Sequence, residues 1–103
     1  MENNENTDKK TIMEKGVILV GKKPTIRYVS AAILLFNSEN LDRIKIKSRG
    51  KFISKAVDVA EAVRNKFLKD KNLNVNVSIG TENLERKDGR KLSISTIEIS
   101  LEK

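Results

Sequence analysis

The chain of 103 residues contains no cysteine, no histidine and no tryptophan, and a single proline and tyrosine. The missing thiols and imidazoles exclude a disulfide framework, a thiol nucleophile, a histidine general base and a Cys/His zinc site. Phosphate-loop and dinucleotide fingerprints are also missing. One tyrosine and no tryptophan make a poor aromatic platform for stacking single-stranded bases. The longest apolar run, Ala31 to Phe36, is far too short to span a bilayer. The polar start, Met1-Glu2-Asn3-Asn4-Glu5-Asn6, does not read as a signal peptide. A soluble, cytoplasmic protein of one domain is the expectation.

What the chain does have is positive charge: 21 Lys and Arg against 14 Asp and Glu, a net charge of +7. Residues 1–15 read as a flexible polar tail, with three lysines against four acids. Residues 16–103 therefore hold 18 basic and 10 acidic groups and form the folded domain. A body this basic points to a polyanion, nucleic acid before an anionic membrane.

Val17-Ile18-Leu19-Val20, between Gly16 and Gly21, reads as a strand buried on both faces. Gly21-Lys22-Lys23-Pro24 leads into a helix, with proline suited to its first turn. Ile26, Val29, Ile33 and Phe36 mark its apolar stripe, widened by Ala32 and Leu35, and it should stop near Asn37. Arg43-Ile44-Lys45-Ile46-Lys47 alternates, with cations on one face. Gly50 permits the turn that follows. A second helix over residues 51 to 68 places Ile53, Ala56, Val57, Ala60, Val63 and Phe67 on one face. Leu73, Val75, Val77 and Ile79 alternate as a third strand, residues 80 to 90 read as a long hairpin loop, and residues 91 to 101 form the last strand. The apolar positions of that strand change parity between Leu92-Ile94 and Ile97-Ile99-Leu101, which predicts a bulge near Ser95-Thr96. The order βαβαββ gives an α/β fold: a two-layer domain with two helices on one face of a four-stranded mixed sheet, its first strands parallel.

Residues 22 to 55 hold nine basic groups and two acidic ones. Lys22-Lys23 follows the first strand, and Arg49 and Lys51 follow the second. If those strands are parallel neighbours, both clusters emerge at the carboxyl edge of the sheet, where α/β folds place ligands. Phosphate contact is the functional reading of this convergence; a solvated basic surface is the plainer one. The hairpin carries Arg86, Lys87, Arg90 and Lys91 with Glu82, Glu85 and Asp88, and reads either as an arm for a groove or as a mixed-charge turn. Leu84 within it is either a contact or a fold-back anchor. Phe67 is either core or an exposed contact between molecules. Asp58 and Glu61, at helical i, i+3 spacing, could form a carboxylate pair, and pairing with Lys55 and Arg64 explains them without chemistry. The sequence argues for no enzyme, no metal and no cofactor.

Four blocks carry a family resemblance: Val17-Ile18-Leu19-Val20-Gly21-Lys22-Lys23-Pro24, Ile46-Lys47-Ser48-Arg49-Gly50-Lys51-Phe52-Ile53-Ser54-Lys55-Ala56-Val57-Asp58, Val63-Arg64-Asn65-Lys66-Phe67-Leu68 and Ser95-Thr96-Ile97-Glu98-Ile99. In this order, over residues 16 to 102, the chain resembles the Alba family of archaeal chromatin proteins that bind DNA and RNA. The resemblance implies a homodimer that coats or compacts double-stranded DNA without sequence preference, chromosome-associated in the cytoplasm, with an RNA-binding role as the alternative. It implies that Lys22, Lys23, Arg49 and Lys51 contact nucleic acid at a central loop, and that Arg86, Lys87 and Arg90 do so from the hairpin arm. It also implies acetylation within the Lys22-Lys23 pair and a contact between neighbouring dimers at Phe67. The chain departs from the family in its long acidic tail, and at Lys51 and Phe52, where many members carry Arg and Ala.

Overall fold

A computed structural model of the chain describes residues 12–103. In chain order the elements are β1 (Ile12–Glu14), β2 (Val17–Leu19), α1 (Thr25–Asn37), β3 (Arg43–Arg49), α2 (Ile53–Ala62), β4 (Asn74–Glu85) and β5 (Lys91–Glu102). Gly50–Phe52 forms a 3₁₀ turn ahead of α2, and Val63–Phe67 a π turn after it. The sheet order is β1-β2-β3-β5-β4; β2 and β3 are parallel and the other pairs antiparallel. The four expected strands and two helices are all present. The short β1 adds a fifth strand at the edge, within the stretch read from sequence as tail; the remainder of that reading, residues 1–11, lies outside the described residues.

Opposed residues of an antiparallel ladder share a face. Ile44, Ile46 and Ser48 oppose Leu101, Ile99 and Ile97, which in turn oppose Val75, Val77 and Ile79. This is the face that carries both helices. Ile18, Ile44, Ile46, Ile99 and Leu101 pack there under Val29, Ala32, Leu35 and Phe36 of α1 and Ala56, Val59 and Ala60 of α2. The helices cover β2, β3 and β5 but leave the middle of β4 bare, so Val77 is 58% and Ile79 80% exposed.

Four local expectations are corrected. The stripe of α1 runs through Tyr28, Val29, Ala32, Leu35 and Phe36, and Ile26 faces solvent, because α1 lies one position round from the predicted face. Leu19 is exposed, so β2 is not buried on both faces throughout. No bulge interrupts β5: its pairing with β4 is continuous from Glu102 to Lys91. The parity change instead marks where β3 ends, opposite Thr96. Beyond that point β4 and β5 pair only with each other, and Ile94 and Leu92 fall on the opposite face from Ile97. Finally, residues 80 to 90 are not a long loop. The strands continue to Glu85 and from Lys91, leaving Arg86–Arg90 as the turn.

The end of the second helix explains Phe67. Leu68 N donates to Val63 O at 2.8 Å, five residues back instead of four. One extra residue is thereby fitted into the turn. Leu68, rather than Phe67, takes the next core position: Leu68 is 5% exposed and Phe67 51%.

Candidate nucleic-acid interface

The parallel pairing of β2 and β3 brings their carboxyl ends to one edge of the sheet, as the sequence predicts. Val20 N donates to Lys47 O at 2.9 Å, and the buried Ser48 Oγ donates to Val20 O at 3.0 Å. The Gly21–Pro24 loop and the Gly50–Phe52 turn therefore leave the sheet side by side. Gly50 has φ +60°, the left-handed conformation that glycine adopts without Cβ strain.

Within the loop, Lys22 is exposed and Lys23 half-buried. Tyr28, on the first turns of α1, is 2% exposed, and its hydroxyl accepts from Gly21 N at 2.9 Å and Lys23 N at 3.1 Å. Lys55 of α2 donates through Nζ to Gly21 O at 2.8 Å and Lys23 O at 2.7 Å. Arg49 and Lys51 are exposed at the neighbouring turn. Arg49 Nη1 lies 2.7 Å from Glu82 Oε1 of β4. The ammonium groups of Lys51 and Lys55 stand 5.5 and 5.6 Å from the Phe52 ring centre, within cation–π range. A groove at this edge is lined by Lys23, Lys47, Arg49, Phe52, Ile79 and Glu82, among others.

The arm rises from the same edge. Five residue pairs, from Thr81 opposite Ser95 to Glu85 opposite Lys91, extend past the last residue of β3. At about 3.3 Å per residue they reach roughly 17 Å from the sheet. Arg86, Lys87 and Arg90 are all exposed at the tip. The tip is closed by Arg86 N to Arg90 O at 2.7 Å and Gly89 N to Arg86 O at 3.0 Å, with Gly89 at φ +87°. Arg90 lies 3.7 Å from Asp88. Leu84, half-buried, opposes the exposed Leu92 across the ribbon.

The structure thus brings Lys22, Lys23, Arg49 and Lys51 to one edge. It sets Arg86, Lys87 and Arg90 on the arm above that edge, and Phe67 away from it at the end of the second helix. The positive face is less bare than the local sequence suggests. Glu98 of β5 lies 3.6 Å from Lys45 and 3.9 Å from Lys47, and Glu82 engages Arg49. These acids are distant in sequence and reach the cations only through strand pairing. Glu61 pairs with Arg64 at 3.8 Å as expected, whereas Lys55 turns to the loop carbonyls. Sequence reasoning missed Tyr28 as part of the site; its position as a lone tyrosine five residues after Lys23 was the available signal.

The Alba family model matches residues 16–80, more than half of the chain. The DNA/RNA-binding protein Alba of Picrophilus torridus is 48% identical over 88 residues, 85% of this chain and 96% of that protein. The solved structure of Alba from Thermoplasma volcanium superimposes with a TM-score of 0.76 at 46% identity, covering 84% of this chain and 99% of that one. ALBA1 from Trypanosoma brucei, 23% identical, shares the fold with a TM-score of 0.60, over 87% of this chain and 70% of its own. On this match of sequence and fold, the chain belongs to the Alba family.

Proposed function

We propose that the chain is a non-enzymatic nucleic-acid-binding protein that coats double-stranded DNA as a homodimer with little sequence preference. The observation that carries the reading is the convergence of two basic loops and one basic-tipped arm on a single edge of the sheet. Lys22, Lys23, Arg49 and Lys51 offer cations to backbone phosphates at one edge, while a two-stranded ribbon with Arg86, Lys87 and Arg90 at its tip suits a groove. Such contacts fix position without reading bases. The relative from Picrophilus is named for binding DNA and RNA, which supports a nucleic-acid ligand and keeps RNA as the second reading. Structured RNA would use the same phosphate contacts. Stacking of single-stranded bases has little support, because Tyr28 is buried.

A second copy would cover the bare apolar strip of Val77 and Ile79, with Val57 of α2 on the same side of the sheet. Two copies would double the basic edge and flank it with two arms. Phe67, exposed at the far end of the second helix, is the contact proposed between dimers along DNA. Acetylation of Lys22 or Lys23 would remove an ammonium from a phosphate contact and weaken binding. Association with the chromosome in the cytoplasm follows from this reading; among the described residues no helix is long and apolar enough to cross a membrane.

The test is a titration of duplex DNA and structured RNA of equal length over a salt series. If about six phosphates are neutralised, log K falls with log[salt] at a slope of roughly −5 on the duplex. A slope near zero removes the phosphate mechanism, and a large preference for RNA transfers the reading to RNA. Sedimentation checks the dimer: Ile79→Glu should yield a monomer, and an unchanged dimer would move the interface elsewhere.

A further inference from the structure

The loop that carries Lys22 and Lys23 is held by two side chains that sequence reasoning gave other duties. Tyr28 read only as the sole tyrosine of the chain, and Lys55 as one more cation of the basic run. The Tyr28 hydroxyl accepts both flanking amides, Gly21 N and Lys23 N, at 2.9 and 3.1 Å. The Lys55 ammonium donates to both flanking carbonyls, Gly21 O and Lys23 O, at 2.8 and 2.7 Å. Two residues from two helices thus satisfy the backbone donors and acceptors on either side of Lys22. From the geometry we infer that Tyr28 and Lys55 are positioning residues: together they clamp the Gly21–Lys23 backbone so that Lys22 and Lys23 meet phosphates in a loop already set. The inference deepens the phosphate-contact reading of this loop and rests on it.

The chemistry separates the clamp from a direct contact. Tyr28 is 2% exposed, and both hydrogen bonds that its hydroxyl accepts come from the loop's own backbone. The Lys55 ammonium is partly buried and held by two carbonyl oxygens. Neither group needs to touch a phosphate to matter. An unclamped loop would have to be ordered on binding, and that ordering lowers affinity without changing the number of counterions released.

The experiment compares wild type, Tyr28→Phe, Lys55→Met and Lys22→Ala/Lys23→Ala in duplex DNA titrations over a salt series. Amide hydrogen exchange is followed at Gly21, Lys23 and the core strand β3. Tyr28→Phe keeps the ring and the net charge. Its affinity should fall by about three- to tenfold, as for the loss of one or two hydrogen bonds, with the salt slope unchanged. Exchange should accelerate at Gly21 and Lys23 but not in β3, which separates local release of the loop from loss of the fold. Lys55→Met should behave the same way. A slope shallower by about 1.8 for Lys55→Met, one contact from each subunit of the dimer, would make Lys55 a phosphate contact instead and overturn its role as a clamp. Wild-type affinity in Tyr28→Phe, beside a weakened double variant, would overturn the clamp alone. Wild-type affinity in the double variant would overturn the loop as a phosphate site and remove the clamp's function with it.

Discussion

The two basic regions of this protein differ in what holds them. The Gly21–Pro24 loop is tied to its surroundings by side chains from both helices, and the strand leading into it is tied by Ser48 of β3. Among the described residues the arm tip is tied to itself, through the Arg86–Arg90 turn and Asp88. The loop presents its cations from a backbone fixed by the core. The tip presents them from a two-stranded ribbon, which on its own is a marginal structure. A chain can therefore carry similar charge in two places and obtain different binding from each: a preset contact at the sheet edge and an adaptable one above it. The corresponding expectation is that the loop dominates affinity and the tip adds to it.

The sharpest break of this comparison is Lys22→Ala/Lys23→Ala. Loss of two phosphate contacts in each subunit, four per dimer, should make the salt slope shallower by about 3.6 and weaken duplex binding by more than about a hundredfold at physiological salt, read from titrations. The tip variant Arg86→Ala/Lys87→Ala/Arg90→Ala should weaken binding by about five- to tenfold, with the slope shallower by about one. A larger loss from the tip than from the loop would reverse the ranking. Two of the glycines with positive φ, Gly50 and Gly89, sharpen the contrast in stability. Gly50→Ala, at the turn beside the loop, should lower unfolding stability by roughly 1 kcal/mol in a denaturant melt. Gly89→Ala meets a similar backbone strain, but at the tip of the ribbon, where an added Cβ has nothing within 4 Å, and should move the midpoint less. The smallest effect is expected where the two regions touch. Glu82 stands on the arm's own strand and holds Arg49 across a half-exposed ion pair. Glu82→Gln should release Arg49 to phosphate and raise affinity about two- to threefold at low salt. Its stability should stay within about 1 kcal/mol of wild type, because exposed pairs contribute little.

The element order was legible because each strand and helix carries its own period. The alternation of Arg43 to Lys47 and of Leu73 to Ile79, and the flanking of Val17 to Val20 by glycines, are local signals, and the structure follows them. The convergence of the basic loops was legible because parallel neighbours must send their carboxyl ends the same way. What could not be read depends on pairs far apart in the chain. Glu82 and Glu98 look like ordinary acids until β4 and β5 fold beside β3 and set them against Arg49, Lys45 and Lys47. The parity change near Ser95-Thr96 suggested a bulge because the sequence does not say where β3 stops. The clamp escaped for a similar reason: a tyrosine hydroxyl and a lysine ammonium are recognised as a pair only once two helices have met over one loop.

The π turn at Val63–Phe67 has a consequence for how assembly and folding relate. Because Val63 and Leu68 make the core contacts on either side of it, the half-exposed surplus position lies outside the core. The aromatic displayed there can be exchanged without opening a cavity. On the proposed reading of Phe67 as a contact between molecules, association and the stability of each molecule become independent variables, and the strength of that contact can drift while the fold beneath it stays constant.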